Sequence, residues 1–548
     1  MSVPTAIPVR RAPAADAGYP APPADPDIRV EWTLRLRAET AFTVGGAFAG
    51  TTVDLTVARD GRDRPYIPGS SWAGVLRARA EAALPPDTVD ALFGAVGETG
   101  PGGTGSAAPL GWASRLTVAD TVIDSGYPLE TRTGVGIDRR TGTAADRIRY
   151  DREVLPAGTP MTVCLRYDGA DDAALAALRR LLRGLRADGP RVGAASRRGL
   201  GRMACVTLTE RSVDLRSRAG LLAWFTDTGD GVPLDPVTDA GTRLTITVDW
   251  IPAQPVLVGA GTSGEGAHLV PLMTRAAGDG LAPVLPGSSV KGVLRSLTER
   301  IARTVLAHAG DPGPAGGWEP GGDFVAALDG LAAYVPALEG LFGSQRQAGA
   351  LAVGDVIATV PVIDADVWAD LLAGTIPDPA DANWYRPRSH VAIDRWTGGA
   401  ADQQLFTVQE LAGVRWPPIT LDVDLPALRH TLDGDGDGGG GEDGEAMIRT
   451  RAALVLLGCA LGVFLDGDGA FGHGASRGLG EVRVTGLSVR LPAAGGLPAL
   501  PDADATSLDE LRELWWMWLD DLAPPGGWVA ALPRPPAPIA GPDREGAA

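Results

Sequence analysis

The chain has 548 residues, 45% hydrophobic and 21% charged, which is enough apolar material for two or more separate cores. Its formal net charge of −18 excludes a uniformly basic nucleic-acid binder and leaves room only for a local basic track on an acidic body. The cysteines, Cys164, Cys205 and Cys459, lie far apart in apolar surroundings and form no CxxC pair, which predicts buried thiols in a reducing cytosol and excludes a cysteine-held zinc or a disulfide framework.

Residues 1–27 are rich in Pro and Ala and lack the apolar core of a signal peptide, so a disordered arm is expected there. No run of about 18 apolar residues occurs, so the expectation is a soluble cytoplasmic protein with no membrane partner. From Ile28 to about Val44 the alternation of Val30, Trp32, Leu34 and Leu36 with polar residues predicts a strand. A loop from Gly45 to Gly61 carries Asp54. PGSSWAGVLR at Pro68–Arg77 then opens a helix, with Ser70 or Ser71 suited to cap it. Leu-Phe-Gly follows at Leu92 to Gly94, a Gly-rich insertion between Gly97 and Trp112, and VGIDRRTGTAAD from Val135 to Asp146. A helix is expected from about Asp172 to Arg186, with Leu175, Leu178, Leu181, Leu182 and Leu185 on one face. A glycine-rich loop, VGAASRRGLGRM at Val192–Met203, leads into a closing strand from Met203 to Leu208.

The same stations return in the same order. Leu244, Ile246, Val248 and Trp250 repeat the alternating strand, PGSSVKGVLR recurs at Pro286–Arg295, and Leu-Phe-Gly recurs at Leu341 to Gly343. VAIDRWTGGAAD at Val391–Asp402 and FGHGASRGLGEV at Phe471–Val482 complete the set. Ordered matches of this kind make the chain a tandem duplication, with repeat one over 28–215, a linker over 216–240 and repeat two over 241–490. Repeat two carries its own insertion at about 309–338 and an acidic loop, Asp433 to Glu445. That loop opens like a calcium loop, but Gly444 stands at position twelve, so a solvated flexible loop is expected. A Pro-rich tail over 491–548 holds the capping box Ser507 to Glu510 and a helix with Trp515, Trp516 and Trp518, which cannot all face one way. The element order predicts an α+β fold of two tandem, modified ferredoxin-like units. Charge is also placed: Lys291 is the only lysine, beside a helix N-terminus that favours anions, and a run of arginines from Arg179 to Arg202 precedes the first closing strand.

Together these residues resemble the RAMP superfamily of CRISPR-associated proteins, in particular the backbone subunits of type III effector complexes. The tandem arrangement is similar to the two-repeat subunits of type III-D systems. The resemblance implies RRM-like repeats that bind guide RNA along its backbone, meet target RNA and assemble with other CRISPR effector subunits in antiviral defence. It carries RNA contact to Ser70, Ser71 and Arg77, to Ser288, Ser289, Lys291 and Arg295, and to the glycine-rich loops at Gly193, Arg197, Arg198, Gly199, Gly472, His473, Arg477 and Gly478. Ala73 stands where repeat two has Lys291. The IDRxTGxAAD segments look like the family's thumb hairpin, which wedges into the guide–target duplex, with Arg139, Arg140 and Arg147 in the first and Arg395 and Trp396 in the second. The residues alone also allow a hairpin salt-bridged between Asp138 or Asp146 and these arginines, and the two readings are compatible.

In cutting members an aspartate between the first strand and PGSS is required for metal-dependent cleavage, and Asp54 occupies that station. A weakly held divalent metal, magnesium or manganese, is implied as cofactor for an endoribonuclease. Asp60 and Asp63 are second choices, and the plain alternative is that Asp54 bonds loop amides. Repeat two reads VPLMTRAAGDG there, with Pro271 or Leu272 in the carboxylate's place; His268 and Glu265 are nearby but reached only by shifting the alignment, so one cutting site and a silent second repeat are expected. The rival readings are a non-catalytic scaffold and a guide-processing ribonuclease; the latter calls for a histidine or tyrosine acid-base site, and repeat one has no histidine.

Overall fold

The computed structural model describes residues 26–46, 53–95, 113–124, 126–139, 141–170, 172–227, 229–237, 242–261, 263–264, 267–276, 280–314, 330–374, 384–433, 443–492, 497–499 and 507–533. Nearly all of the N-terminal arm, the Gly-rich insertion after Gly97, Arg140, much of the 309–338 insertion and the interior of the acidic loop lie outside the described residues.

Repeat one is built on β1 (Ile28–Ala38), whose alternating pattern puts Val30, Trp32, Leu34 and Leu36 in the core at 3% exposure or less. The strand stops at Ala38 rather than near Val44, because Glu39 N donates to Arg202 O (2.8 Å) and turns the chain toward the glycine-rich loop. β2 (Tyr66–Ile67) and β4 (Thr121–Val122) form a small pair beside helix α1 (Gly69–Ala83), which α2 (Pro86–Phe93) and β3 (Leu116–Val118) flank. A long hairpin, β5 (Glu130–Asp138) and β6 (Thr143–Val154), precedes β7 (Pro160–Gly169), α3 (Ala173–Asp188), the short β8 (Arg198–Gly199) and β9 (Met203–Asp214). After α4 (Arg218–Phe225), β10 (Val232–Pro233) closes a sheet of order β10-β9-β1-β7-β3, with antiparallel neighbours. The leucines expected on α3 are all buried, and Asp172 caps that helix by accepting from Ala174 N and Leu175 N.

Repeat two follows the same path. β11 (Arg243–Pro252) is succeeded by β12 (Met273–Arg275), β13 (Leu281–Leu285), α5 (Gly287–His308), α6 (Pro336–Phe342), β14 (Leu351–Gly354), β15 (Val356–Ile357) and α7 (Ala365–Leu372). The hairpin β16 (Tyr385–Ile393) and β17 (Ala400–Leu411) precedes β18 (Ile419–Asp424), α8 (Leu425–Asp433), α9 (Asp443–Leu465) and β19 (Val482–Arg490). Its sheet runs β19-β11-β18-β14-β8, so the last strand is lent by repeat one. Small irregularities are duplicated too. Both hairpins shift register at matched places, Val135/Ile137 and Val391/Ile393, and both hold a non-glycine residue at positive φ, Arg147 at 58° and Gln403 at 55°.

Neither serine caps the PGSS helices as expected. Each helix begins at the glycine, with proline at the N-cap and no side-chain cap from its own segment. A carboxylate from the strand alongside does that work: Asp120 Oδ1 accepts from Gly69 N (2.7 Å) and Asp355 Oδ1 from Gly287 N (2.9 Å). The serines therefore sit one and two residues too late, inside the first turn.

α9 is apolar on all sides and is long and apolar enough to cross a membrane by length and composition, yet 72% of its best window is buried. It is the central core helix of repeat two, and α10 (Leu508–Leu522) covers it. Gly458 and Gly462 make room for Leu519 and Trp516, while Trp515 Nε1 donates to Gly458 O (3.1 Å). Trp515 and Trp518 are buried and Trp516 is 38% exposed, so the tryptophan helix is chiefly a lid on its own body. The thiols depart from expectation: Cys164 occupies an outward position on β7 and is exposed, and Cys205 and Cys459 are half-buried, with burial pushing both up to about 11.

Candidate nucleic-acid interface

The Asp54 loop lies along β6 as an added strand. Leu55 N donates to Asp151 O (3.1 Å), Glu153 N to Leu55 O (2.8 Å), and Leu55 bridges Arg152 in parallel. This fixes the exposed Asp54 carboxylate, whose Oδ2 accepts from Asp151 N (2.8 Å). The carboxylate of Asp151 accepts from Thr133 Oγ1 (2.6 Å). Arg152 lies over the Tyr150 ring, 5.4 Å from its centroid, and burial, with Arg198 close by, lowers its pKa. Asp60 serves the turn instead: its carboxylate takes the main-chain N–H and guanidinium of Arg64 and the N–H of Arg62, which hold it down at about 2. Asp63 pairs with Arg59 at 3.6 Å.

Repeat two contains a matching station, and the residue there is His268 rather than Pro271 or Leu272. Leu269 bridges Val408 in parallel as Leu55 bridges Arg152, and Gly259 bridges Pro271 as Gly45 bridges Val57. His268 Nδ1 accepts from Thr407 N (3.0 Å), the counterpart of the Asp54 bond. The segment between this station and PGSS is four residues longer in repeat two, so an alignment without gaps falls on Leu272 instead. Because a main-chain N–H only donates, Nδ1 is the acceptor and the neutral ring presents Nε2–H. Repeat one thus offers a carboxylate, an acceptor and base, where repeat two offers a donor.

The remaining candidates separate into buried and exposed sets. Lys291 is 6% exposed and donates from Nζ to Leu351 O (2.7 Å); burial first, then Arg197, Arg198 and Arg295, bring it down to about 7. It lies inside the protein rather than on the surface. Arg77 pairs with Glu81 (3.1 Å), and at the same spacing Arg295 pairs with Glu299 (2.9 Å) and also donates to Gly343 O. Arg139 leaves its hairpin for Glu299 of repeat two (2.6 Å), and Arg197 donates to Gly349 O. Gly193 and Gly472 have φ of 89° and 86°, and a Cβ on either would stand 2.1 or 2.3 Å from a carbonyl oxygen of Thr43 or Leu257. Their first task is close backbone packing, which only glycine permits. Gly199 is buried beside Asp355.

Exposed are Ser70, Ser288, Arg147, Arg198, Arg395, Gly472, His473, Arg477 and Gly478, while Ser71 and Ser289 are half-buried. Trp396 stands at a hairpin tip with 95% of its surface exposed, and Asp394 Oδ1 holds its main-chain N–H (2.8 Å). Arg147 makes only a loose pair with Asp146 (3.4 Å), both side chains being about nine-tenths in solvent. Arg477 Nη2 donates to His473 Nε2 (2.9 Å), since guanidinium cannot accept, and burial with Arg477 and His390 lowers the His473 pKa.

The described contacts put Arg152 next to the Asp54 loop and Arg198 near Arg152, one exposed carboxylate with two guanidinium groups in its neighbourhood. Among the described residues no three His, Cys, Asp or Glu side chains gather as a metal cage. Asp54 fits a divalent ion only as one oxygen ligand, with phosphate oxygens and water supplying the rest, which suits magnesium. Sequence reading set His268 aside for want of register and missed Arg152 and the capping Asp120 and Asp355. A sixth matched station, LTVAD at Leu116–Asp120 against LAVGD at Leu351–Asp355, was the available signal for the last two.

The family model described as the RAMP superfamily matches residues 35–204 and 254–483, well over half of the chain. No curated protein matches it.

Proposed function

Because the chain belongs to the RAMP superfamily, we propose that this CRISPR-associated RNA-binding protein is a tandem backbone subunit of a type III, III-D-like, ribonucleoprotein that holds guide RNA and cuts complementary RNA once, through Asp54. We read residues 28–215 and 241–490 as two ferredoxin-like units, a reading supported by the shared order β9-β1-β7-β3 and β19-β11-β18-β14. Guide RNA would follow the exposed track of Arg198, Arg477 and His473, and the hairpin tips with Arg147, Arg395 and Trp396 would meet the duplex with target RNA. Further effector subunits would complete the particle.

The observation that carries a single cutting site is the matched hydrogen bond of Asp54 and His268, which holds opposite chemistry in one geometry. Asp54, held by Asp151 N, would keep one carboxylate oxygen to take the proton of a 2′-hydroxyl, whose own oxygen attacks the adjacent phosphorus while the 5′-oxygen departs and takes a proton from water. Arg152, which bridges the residue after Asp54, and Arg198 close to it would neutralise the charge that develops on the phosphorane. A bound divalent ion would supply further neutralisation of that charge. His268 Nε2–H donates to a phosphate but does not accept the proton.

The test is cleavage of end-labelled complementary RNA, with magnesium or manganese, by the guide-loaded assembly. Asp54→Ala should remove one cut, with loss of about 10²-fold or more in rate at that position, while target binding persists. An unchanged pattern would assign the chain to a non-catalytic scaffold. That second reading is favoured by the same Asp54–Asp151 bond, since a structural role predicts lowered melting temperature in Asp54→Ala with no effect on cutting.

A further inference from the structure

Helix α10 belongs to neither repeat, lying beyond β19 and beyond the residues that the family model matches. It carries two patterned faces. Leu511, Trp515, Trp518, Leu519 and Leu522, at helical spacing, are buried against repeat two. Glu513, Trp516, Met517 and Asp520 stand at positions i, i+3, i+4 and i+7, so they share a second face, and all four are exposed. Trp516 and Met517 lie side by side there, 38% and 59% exposed.

That face is held rigidly. Ser507 Oγ caps the helix by accepting from Glu510 N (3.2 Å), and Arg451 closes its other end, donating to Asp521 O (2.6 Å) and Leu522 O (2.7 Å). The Trp516 indole lies against α9 at Gly462, where a Cβ would stand 2.6 Å from Cζ2, so the ring is seated without being enclosed. Its polar edge is unused. Trp515 Nε1 donates to Gly458 O (3.1 Å) and Trp518 Nε1 to Pro498 O (2.9 Å), whereas Trp516 Nε1 has no partner among the described residues. A fixed, half-exposed indole with a free N–H is the kind of side chain that anchors contacts between proteins.

The charges around it select the partner. Glu513 and Asp520 flank the indole on the exposed face, and their carboxylates have no partner among the described residues. Arg512, the one arginine of the helix, is taken by Asp466 (2.8 Å) and Asp509 (3.0 Å). Carboxylates on both sides of the indole repel phosphate, which argues against a nucleic-acid strand. They also repel their own copies when the same face of a second chain is brought up, as a two-fold contact requires. A cation beside an apolar side chain satisfies both features, through ion pairs at the rim and a cation–π contact with the indole.

We propose that α10 is a docking face for a basic, amphipathic segment of another protein: an apolar side chain seats on Trp516 and Met517, and arginine or lysine on either side meets Glu513 and Asp520. Methionine beside the indole suits such a surface, since its unbranched side chain adapts to the shape of what it meets. The inference uses no RNA contact and no cutting site, so it stands or falls apart from them.

The measurement is fluorescence anisotropy of a labelled synthetic helical peptide, with leucines at i, i+3, i+4 and i+7 between arginines, titrated with RNA-free full-length chain. The native chain should bind it saturably, and should bind two control peptides, with glutamate for arginine or serine for leucine, at least about 10-fold more weakly. Glu513→Lys combined with Asp520→Lys, both at exposed positions, should weaken binding by roughly 10-fold or more and strengthen binding of the glutamate peptide, with melting temperature unchanged. Trp516→Ala should weaken it by roughly 30-fold. A native chain that does not bind, a leucine-free peptide that binds equally well, or a charge-reversed variant that binds like the native chain would each overturn the proposal. So would labelled oligouridine whose binding weakens in Trp516→Ala, which would assign the face to nucleic acid.

Discussion

At Lys291 a single ammonium is enclosed beneath the first turn of α5, donating to Leu351 O with Arg197, Arg198 and Arg295 around it. Burial depresses its pKa from 10.5 to about 7 in the folded chain. Below pH 7 folded and unfolded chains both carry the proton, and the full cost of enclosing the charge is felt. Between the two values the unfolded chain holds a proton that the folded chain has released, so stability rises with pH across that window by up to about 1.4 kcal/mol per unit. Lys291→Met should flatten this rise, which thermal unfolding from pH 7 upward will show. An identical pH slope in native chain and variant would mean that Lys291 is charged when folded. The sequence marks Lys291 as singular and as part of a helix start. That it faces inward follows from the glycine-rich loop of the other repeat lying over it, which no local pattern encodes.

The PGSS helices were legible as elements, from helical spacing after a Pro-Gly turn, but their caps were not. A cap supplied from the next strand, 51 residues on for Gly69 and 68 for Gly287, leaves no short-range signature. The two caps should differ in weight. Asp120 serves the helix amide from an exposed position, so Asp120→Ala should cost about 1 kcal/mol. Asp355 also neutralises Arg132, which is 9% exposed, and removing it leaves that guanidinium only Glu130 at 3.8 Å and the Thr274 hydroxyl. Asp355→Ala should therefore cost about 3 kcal/mol or more, and urea unfolding of the two variants should separate them clearly. The loops behave likewise: Gly193 and Gly472 were legible as members of a repeated motif, whereas their tight approach to Thr43 and Leu257 depends on where β1 and β11 end.

Over the whole molecule the net charge of −18 and the exposed arginine track stand in opposition. RNA held through phosphates releases counterions, so with about six phosphates engaged, affinity should fall by roughly two to three decades between about 50 and 200 mM salt. Filter binding with guide RNA across salt will show it, and a flat response would remove the track from the RNA-binding surface. The arginines used between repeats, Arg132, Arg139, Arg191 and Arg197, should not contribute to that slope, because carboxylates or carbonyls already hold them.

By itself the sequence determined that the chain is a duplication, that each half is built as strand, helix, strands, helix and strand, and where Asp54, the hairpins and the glycine-rich loops stand in that order. These follow from periodicity and from ordered motif spacing, which are local in the chain. Only the tertiary structure decided which charged groups are available: Lys291, Arg139 and Arg197 turn inward, while Arg395, Arg477 and Trp396 stay outside. It also placed His268 at the station of Asp54, since strand bridges fix correspondence where loop lengths differ. The reason is common to both. Equivalent motifs receive different surroundings when one repeat docks on the other, and burial and pairing across that contact, not residue type, set what each side chain can do.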